Sequence, residues 1–159
     1  INSNIKTLHQ LKGKRFAFVK KYSTSGYLMP FTDLNQLSIN PEWPSTHEAA
    51  LEALENGDID AAATNLDYYL KQQKIGKFRP EEFQVIWESP PICPSLIVVS
   101  KKLSASSIKK IKTSFLNTPE GIEGIFGGES AGYTSIEDAD YTPIRKLRAK
   151  LNLKSESVK

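Results

Sequence analysis

The chain has 159 residues, 39% hydrophobic and 25% charged, the balance of a soluble globular protein rather than a disordered or fibrous one. A net charge of +3, with no Lys/Arg block longer than pairs such as Lys109-Lys110, argues against a nucleic-acid partner. No stretch is long and apolar enough to cross a bilayer, the single cysteine Cys93 excludes an internal disulfide, and with Ile1 at its start the chain neither shows nor excludes a leader segment.

In chain order, "IKTLHQLKGK" predicts a short helical turn closed by Gly13, and "RFAFV" (15–19), dense in aromatic and β-branched residues, predicts a buried strand. The hydroxyl run "YSTSG" follows, and then "GYLMPFTDLNQL" predicts a helix bent near Pro30. "INPEWPS" reads as a loop. "THEAALEALENG" is the clearest helix, with Thr46 as N-cap and Gly57 as its stop. "DIDAAAT" (58–64) predicts a strand and "NLDYYLKQQK" the next helix. "FQVIWES" (83–89) and "SLIVVSK" (95–101) predict two strands joined by the proline-rich "PPICP", a candidate hinge. "SASSIKKIKTSFLNT" is an amphipathic helix with Ile108, Ile111 and Phe115 on one stripe, "GIEGIFGGESAGY" is irregular, and "TPIRKLRAKLNL" predicts a last basic helix. Strands alternating with helices from 15 to about 116 define an α/β chain.

Ser23, Thr24, Ser25 and Gly26 stand where a strand feeds a helix. A helix start carries unpaired N–H groups and partial positive charge, so such a run suits a phosphate-like anion. A single N-cap with chance neighbours explains the same residues equally well. It is not a Walker loop, because the GK[ST] pattern is absent. His47, in the first turn of "THEAALEAL", is either structural or a donor to the same anion, since ligands of open α/β sheets bind outside the carboxyl ends of the strands. Asp67, at the start of the next helix, is stabilising there in any case. Cys93 lies among apolar and proline neighbours, which favours an inert thiol over a nucleophile, and His9 reads as exposed. No His, Cys and carboxylate cluster has metal spacing.

Taken together, "LKGKRFAFV…YSTSGYLMP", "THEAALEALENGDIDAAATN", "VIWESPPICPSLIVVSKKLS" and "YTPIRKL" resemble the phosphonate, phosphite and phosphate periplasmic binding proteins of ABC transporters, in order and rough spacing along nearly the whole chain. The resemblance implies a type II periplasmic-binding fold of two lobes that close on a ligand. Ser23, Thr24 and Ser25 would hold the phosphorus oxyanion, His47 would donate to it, and Asp67 would stand where aminophosphonate binders carry an acidic residue facing the ligand's amine. Those binders also place an aspartate where this chain has "ICPS", with Ser95 nearest, which favours a simpler oxyanion. The stretch between "LMP" and "THE" is shorter than the family pattern.

Family members carry roughly a hundred further residues before this point, about one small domain. The expected organisation is therefore one complete lobe over 1–92, the second of the family fold, and the carboxyl part of the first lobe over 93–159. An incomplete lobe exposes strand edges that a second copy could cover. The reading is a non-enzymatic solute-binding protein with no cofactor, a membrane permease as partner, and a periplasmic or extracellular location, anchoring of the full-length protein being left open. The alternatives are an extracellular sensor domain of a membrane kinase or cyclase, and a Cys93–His47 hydrolase or phosphotransfer enzyme, against which stands the lack of an orienting third group.

Overall fold

The "RFAFV" run supplies the central strand. In the computed structural model, which describes residues 4–93, 96–119 and 132–151, β1 (Arg15–Ala17) pairs in parallel with β2 (Asn40–Glu42) on one side and β3 (Ala61–Ala62) on the other. The order is β2-β1-β3, and the register sets Phe16 beside Pro41 and Ala61. The strands are shorter than the sequence patterns. Past Ala17, Phe18 N–H still donates to Glu42 O (3.0 Å), but Val19 N–H turns to Gly26 O (2.9 Å).

β2 corrects the reading of "INPEWPS" as a loop. Asn40 N–H donates to Lys14 O and Glu42 O accepts from Phe18 N–H, so the ladder runs through the neighbours of Pro41. A proline without N–H is tolerated on such an edge strand, all of which is exposed.

Alternate side chains of the central segment point to opposite faces. Phe16 and Phe18 pack with Leu11, Tyr27, Leu28 and Leu34, while Ala17 and Val19 pack with Ala50 and Ile59. The first cluster is covered by a π-helical turn, Thr24–Leu28, running into α1 (Met29–Leu34), and the second by α2 (His47–Glu55). Helices on both faces follow from right-handed crossovers that run in opposite directions along the sheet, from β1 to β2 and then from β2 past β1 to β3. α2 opens with the Thr46 cap and ends before Gly57, whose φ of +78° lies in the left-handed region. After β3 comes α3 (Leu66–Lys74); later, α4 (Ala105–Leu116) is capped by Ser104, and α5 is Thr142–Lys150. Ile144 and Leu147 of α5 pack against the Phe16–Phe18 cluster.

The chain divides into two compact units, Ile1–Pro91 with Pro143–Lys159, and Ile92–Thr142. The first holds the sheet and both buried clusters. In the second, no side chain of the described residues is fully buried; α4 turns Phe115 onto Tyr133, ring centroids 5.0 Å apart. The strands predicted over 83–89, in the first unit, and 95–101, in the second, are absent among the described residues of those ranges, and Val85, Leu96, Ile97 and Val98 are exposed. β-branched composition alone does not make a strand; a ladder needs a partner, and no described segment pairs with these. Ser95 and most of the glycine-rich stretch lie outside the described residues. The whole is an α/β arrangement with a parallel sheet, of the periplasmic-binding-protein kind.

Candidate functional site

Because the three strands are parallel, their carboxyl ends share one edge of the sheet, and a helical segment leaves that edge after each. Every one of the three starts is capped by a side chain. Ser23 Oγ accepts from Gly26 N–H (3.1 Å), Thr46 Oγ1 from Ala49 N–H (3.1 Å) and Asn65 Oδ1 from Tyr68 N–H (2.7 Å). Three helix starts at one edge concentrate N–H donors and positive dipole ends there.

The hydroxyl run is the most constrained of the three. Lys20 and Tyr22, neither a glycine, adopt φ of +41° and +77° just before it. Such residues cost on the order of 1–3 kcal/mol each and persist where surroundings over-determine them. Here Lys20 N–H donates to Pro44 O (3.1 Å), Ser23 N–H donates to Lys20 O (2.9 Å), and the Tyr22 ring has Lys21 Nζ and the Arg148 guanidinium each 5.9 Å from its centroid. Gly26 is required by close approach: a Cβ there would lie 2.6 Å from Val19 Cβ.

Tyr27 and Leu28 N–H both donate to Ser23 O. The amides of Thr24 and Ser25, first in the turn, have no carbonyl behind them to bond. Gly26 N–H is spent on the Ser23 hydroxyl oxygen, which leaves the Ser23 hydroxyl proton free to donate outward. Ser23, Thr24 and Ser25 are all half-buried.

His47 is the first residue of α2 and half-buried. Its Nδ1 lies 3.3 Å from Thr64 Oγ1, and the Tyr68 ring is 6.5 Å away. Burial pushes the imidazole below its ordinary pKa of 6.5, so it is neutral at pH 7. Tyr68 is shifted up, chiefly by burial and then by Glu48 and Glu52. Asp67, in the first turn of α3, is exposed.

Sequence reasoning passed over two residues at this edge. Thr64 is a hydroxyl two residues past the end of β3, a signal equal in kind to Ser23. Trp43, directly after β2, is half-exposed yet packs on Phe18 and Tyr27 at 5.4 and 5.2 Å. Cys93 belongs to the second unit, where its thiol donates to Asp140 O (3.3 Å), while His47 belongs to the first. His9 is exposed. Among the described residues no group of His, Cys, Asp and Glu could hold a metal ion, and no helix is long and apolar enough to cross a membrane.

A parallel sheet whose carboxyl edge gathers capped helix starts, hydroxyls and a neutral imidazole is the layout of a small-ligand-binding α/β protein. The chain belongs to the family of phosphonate periplasmic substrate-binding proteins of ABC transporters, whose profile matches residues 1–141. This is a family of transport proteins. The chain is 27% identical to the phosphate-import protein PhnD of Mycolicibacterium smegmatis, over 91% of this chain and 53% of the relative. It is 26% identical to a probable ABC transporter phosphite binding protein, PhnD1, of Prochlorococcus marinus, over 94% and 56%. It is 29% identical to the phosphonates-binding periplasmic protein of Escherichia coli, over 92% and 47%. The chain thus spans about half the length of the curated relatives it matches.

Proposed function

We propose that this chain is a solute-binding protein that captures a phosphonate, phosphite or phosphate at the helical start formed by Ser23, Thr24, Ser25 and Gly26, and presents it to the permease of an ABC transporter in the periplasm or outside the cell. The observation that carries the proposal is the cluster of donors at the carboxyl edge of the sheet: three half-buried hydroxyls, the leading amides of the turn, and neutral His47. Hydrogen bonds from such donors to an ionised oxygen are about twice as strong as neutral pairs, so an oxyanion is held without a buried counter-charge.

Lys20, Lys21 and Arg148, around the strained turn, add positive potential that favours anion approach. Asp67, in the first turn of α3 at the same edge of the sheet, is proposed to face the ligand's substituent. With one exposed carboxylate there, an ammonium-bearing ligand gains less than it would from two acids, which favours the simpler oxyanions. The lobe assignment follows the same reading, 1–92 as the anion-gripping lobe and 93–159 expected as part of the other, of which Pro143–Lys159 groups with the first unit instead.

Titration calorimetry of the chain with phosphite, phosphate and methylphosphonate tests it. Saturable binding of at least one, weakened as the oxyanion is replaced by sulfate, is the expected outcome. No heat with any of the three contradicts the proposal.

A further inference from the structure

His47 is held at one nitrogen by a residue from a different part of the chain. Thr64 follows β3 and is 17 positions away, with Oγ1 3.3 Å from His47 Nδ1. Its backbone is pinned on both sides: Ala63 N–H donates to Ala17 O (2.9 Å), and Asn65 caps α3 through Tyr68 N–H (2.7 Å). Thr64 is itself half-buried, and its β-branch restricts χ1, so the hydroxyl has a fixed origin. The Tyr68 ring, tilted 31° to the imidazole, lies 6.5 Å from it between centroids.

A neutral imidazole has one donor and one acceptor nitrogen, and the partner of one decides the role of the other. A threonine hydroxyl can serve either way, whereas an oxyanion accepts only. We infer that Thr64 is a positioning residue that donates its hydroxyl proton to His47 Nδ1 and thereby fixes the imidazole proton on Nε2, aimed at the ligand. The inference rests on the oxyanion reading of this edge and adds a rule of recognition to it. Ser23, Thr24 and Ser25 hydroxyls both donate and accept, so they tolerate a protonated or an ionised ligand oxygen. His47 with its proton fixed on Nε2 donates only, so it bonds an ionised oxygen more strongly than a protonated one, whose hydroxyl proton it cannot accept. Selectivity between ionised and protonated forms of the ligand therefore resides at the His47 corner.

The experiment is long-range proton–nitrogen NMR of the imidazoles at pH 7.5, on the wild-type chain, Thr64→Val and Thr64→Ser, with exposed His9 as the internal reference, paired with calorimetry using phosphite, phosphate and methylphosphonate. Wild type is expected to show His47 with an unprotonated Nδ1. Thr64→Val, close to isosteric, should shift His47 toward the mixed tautomers of His9 and weaken binding about fivefold, the worth of one ordinary hydrogen bond. Thr64→Ser should restore both. A wild-type His47 protonated at Nδ1, or a Thr64→Val variant with unchanged tautomer and affinity, overturns the inference. If the tautomer responds to Thr64 but none of the three ligands binds wild type, the positioning role stands and the oxyanion reading falls.

Discussion

The two ends of the one sheet are finished in opposite ways. At the amino end, Arg15 closes on Asp60: its backbone N–H donates to the carboxylate at 2.8 Å, its guanidinium adds contacts at 3.2 and 3.3 Å, and it also donates to Gly57 O at 3.0 Å. Charge there meets charge inside the chain. At the carboxyl end, each helix start spends one N–H donor on its own capping side chain, and the other leading amides have no carbonyl behind them. A sheet with one end internally satisfied and the other rich in unspent donors has a direction, and a ligand that accepts hydrogen bonds has one end to go to.

The contrast breaks most completely if the hydroxyls are removed. Ser23→Ala with Thr24→Ala deletes two donors to an ionised oxygen, each worth about 2 kcal/mol, and calorimetry should show affinity falling by at least 100-fold. Loss of the Ser23 cap costs about 1 kcal/mol of stability, so circular dichroism should still report a folded chain. A smaller change at the same end acts on the fold instead. Gly26→Ala forces a Cβ against Val19 and should lower stability by about 1–3 kcal/mol, read as a shifted denaturation midpoint.

His47→Gln keeps a donor of different reach and should weaken binding roughly tenfold at most. It also has a pH signature. Burial holds folded His47 below 6.5, so the unfolded chain takes up its proton first as pH falls. The stability carried by the neutral imidazole is full above 6.5 and is lost as pH drops toward the folded value; thermal melts of His47→Gln should show a flatter slope across that window. At the amino end the effect is least. Asp60 is held below its ordinary 3.8 by the hydrogen bonds from Arg15, so its contribution is full above 3.8 and is lost as pH falls through the folded value. Both side chains are partly exposed, and Asp60→Asn should cost under about 1 kcal/mol while leaving ligand affinity unchanged. A weakened affinity in Asp60→Asn would erase the distinction between the two ends.

How much of this was legible depends on whether a signal is local. Thr46, the alanine-rich run and Gly57 announce α2 because caps and stops act within one turn, and the same holds for Asn65 at α3 and Ser104 at α4. β2 was hidden by Pro41, whose tolerance depends on its place at the sheet edge and not on its neighbours in sequence. The apolar runs at 83–89 and 95–101 mislead for the converse reason, since strand formation belongs to a pair of segments. At the candidate site, Ser23–Gly26 and His47 were visible as residue types after strands. The Thr64–His47 contact was not, because it joins two crossovers. Nor does anything in lysine or tyrosine foretell the left-handed backbone at Lys20 and Tyr22.

The central claim is that an oxyanion docks on the first amides after β1. Amide proton–nitrogen NMR during a phosphite titration tests this at the residues themselves. The largest shifts are expected at Thr24 and Ser25, a smaller response at His47 and Thr64, and none at Arg15 or Asp60. Shifts confined to the amino end of the sheet, or none at saturating phosphite, would contradict it.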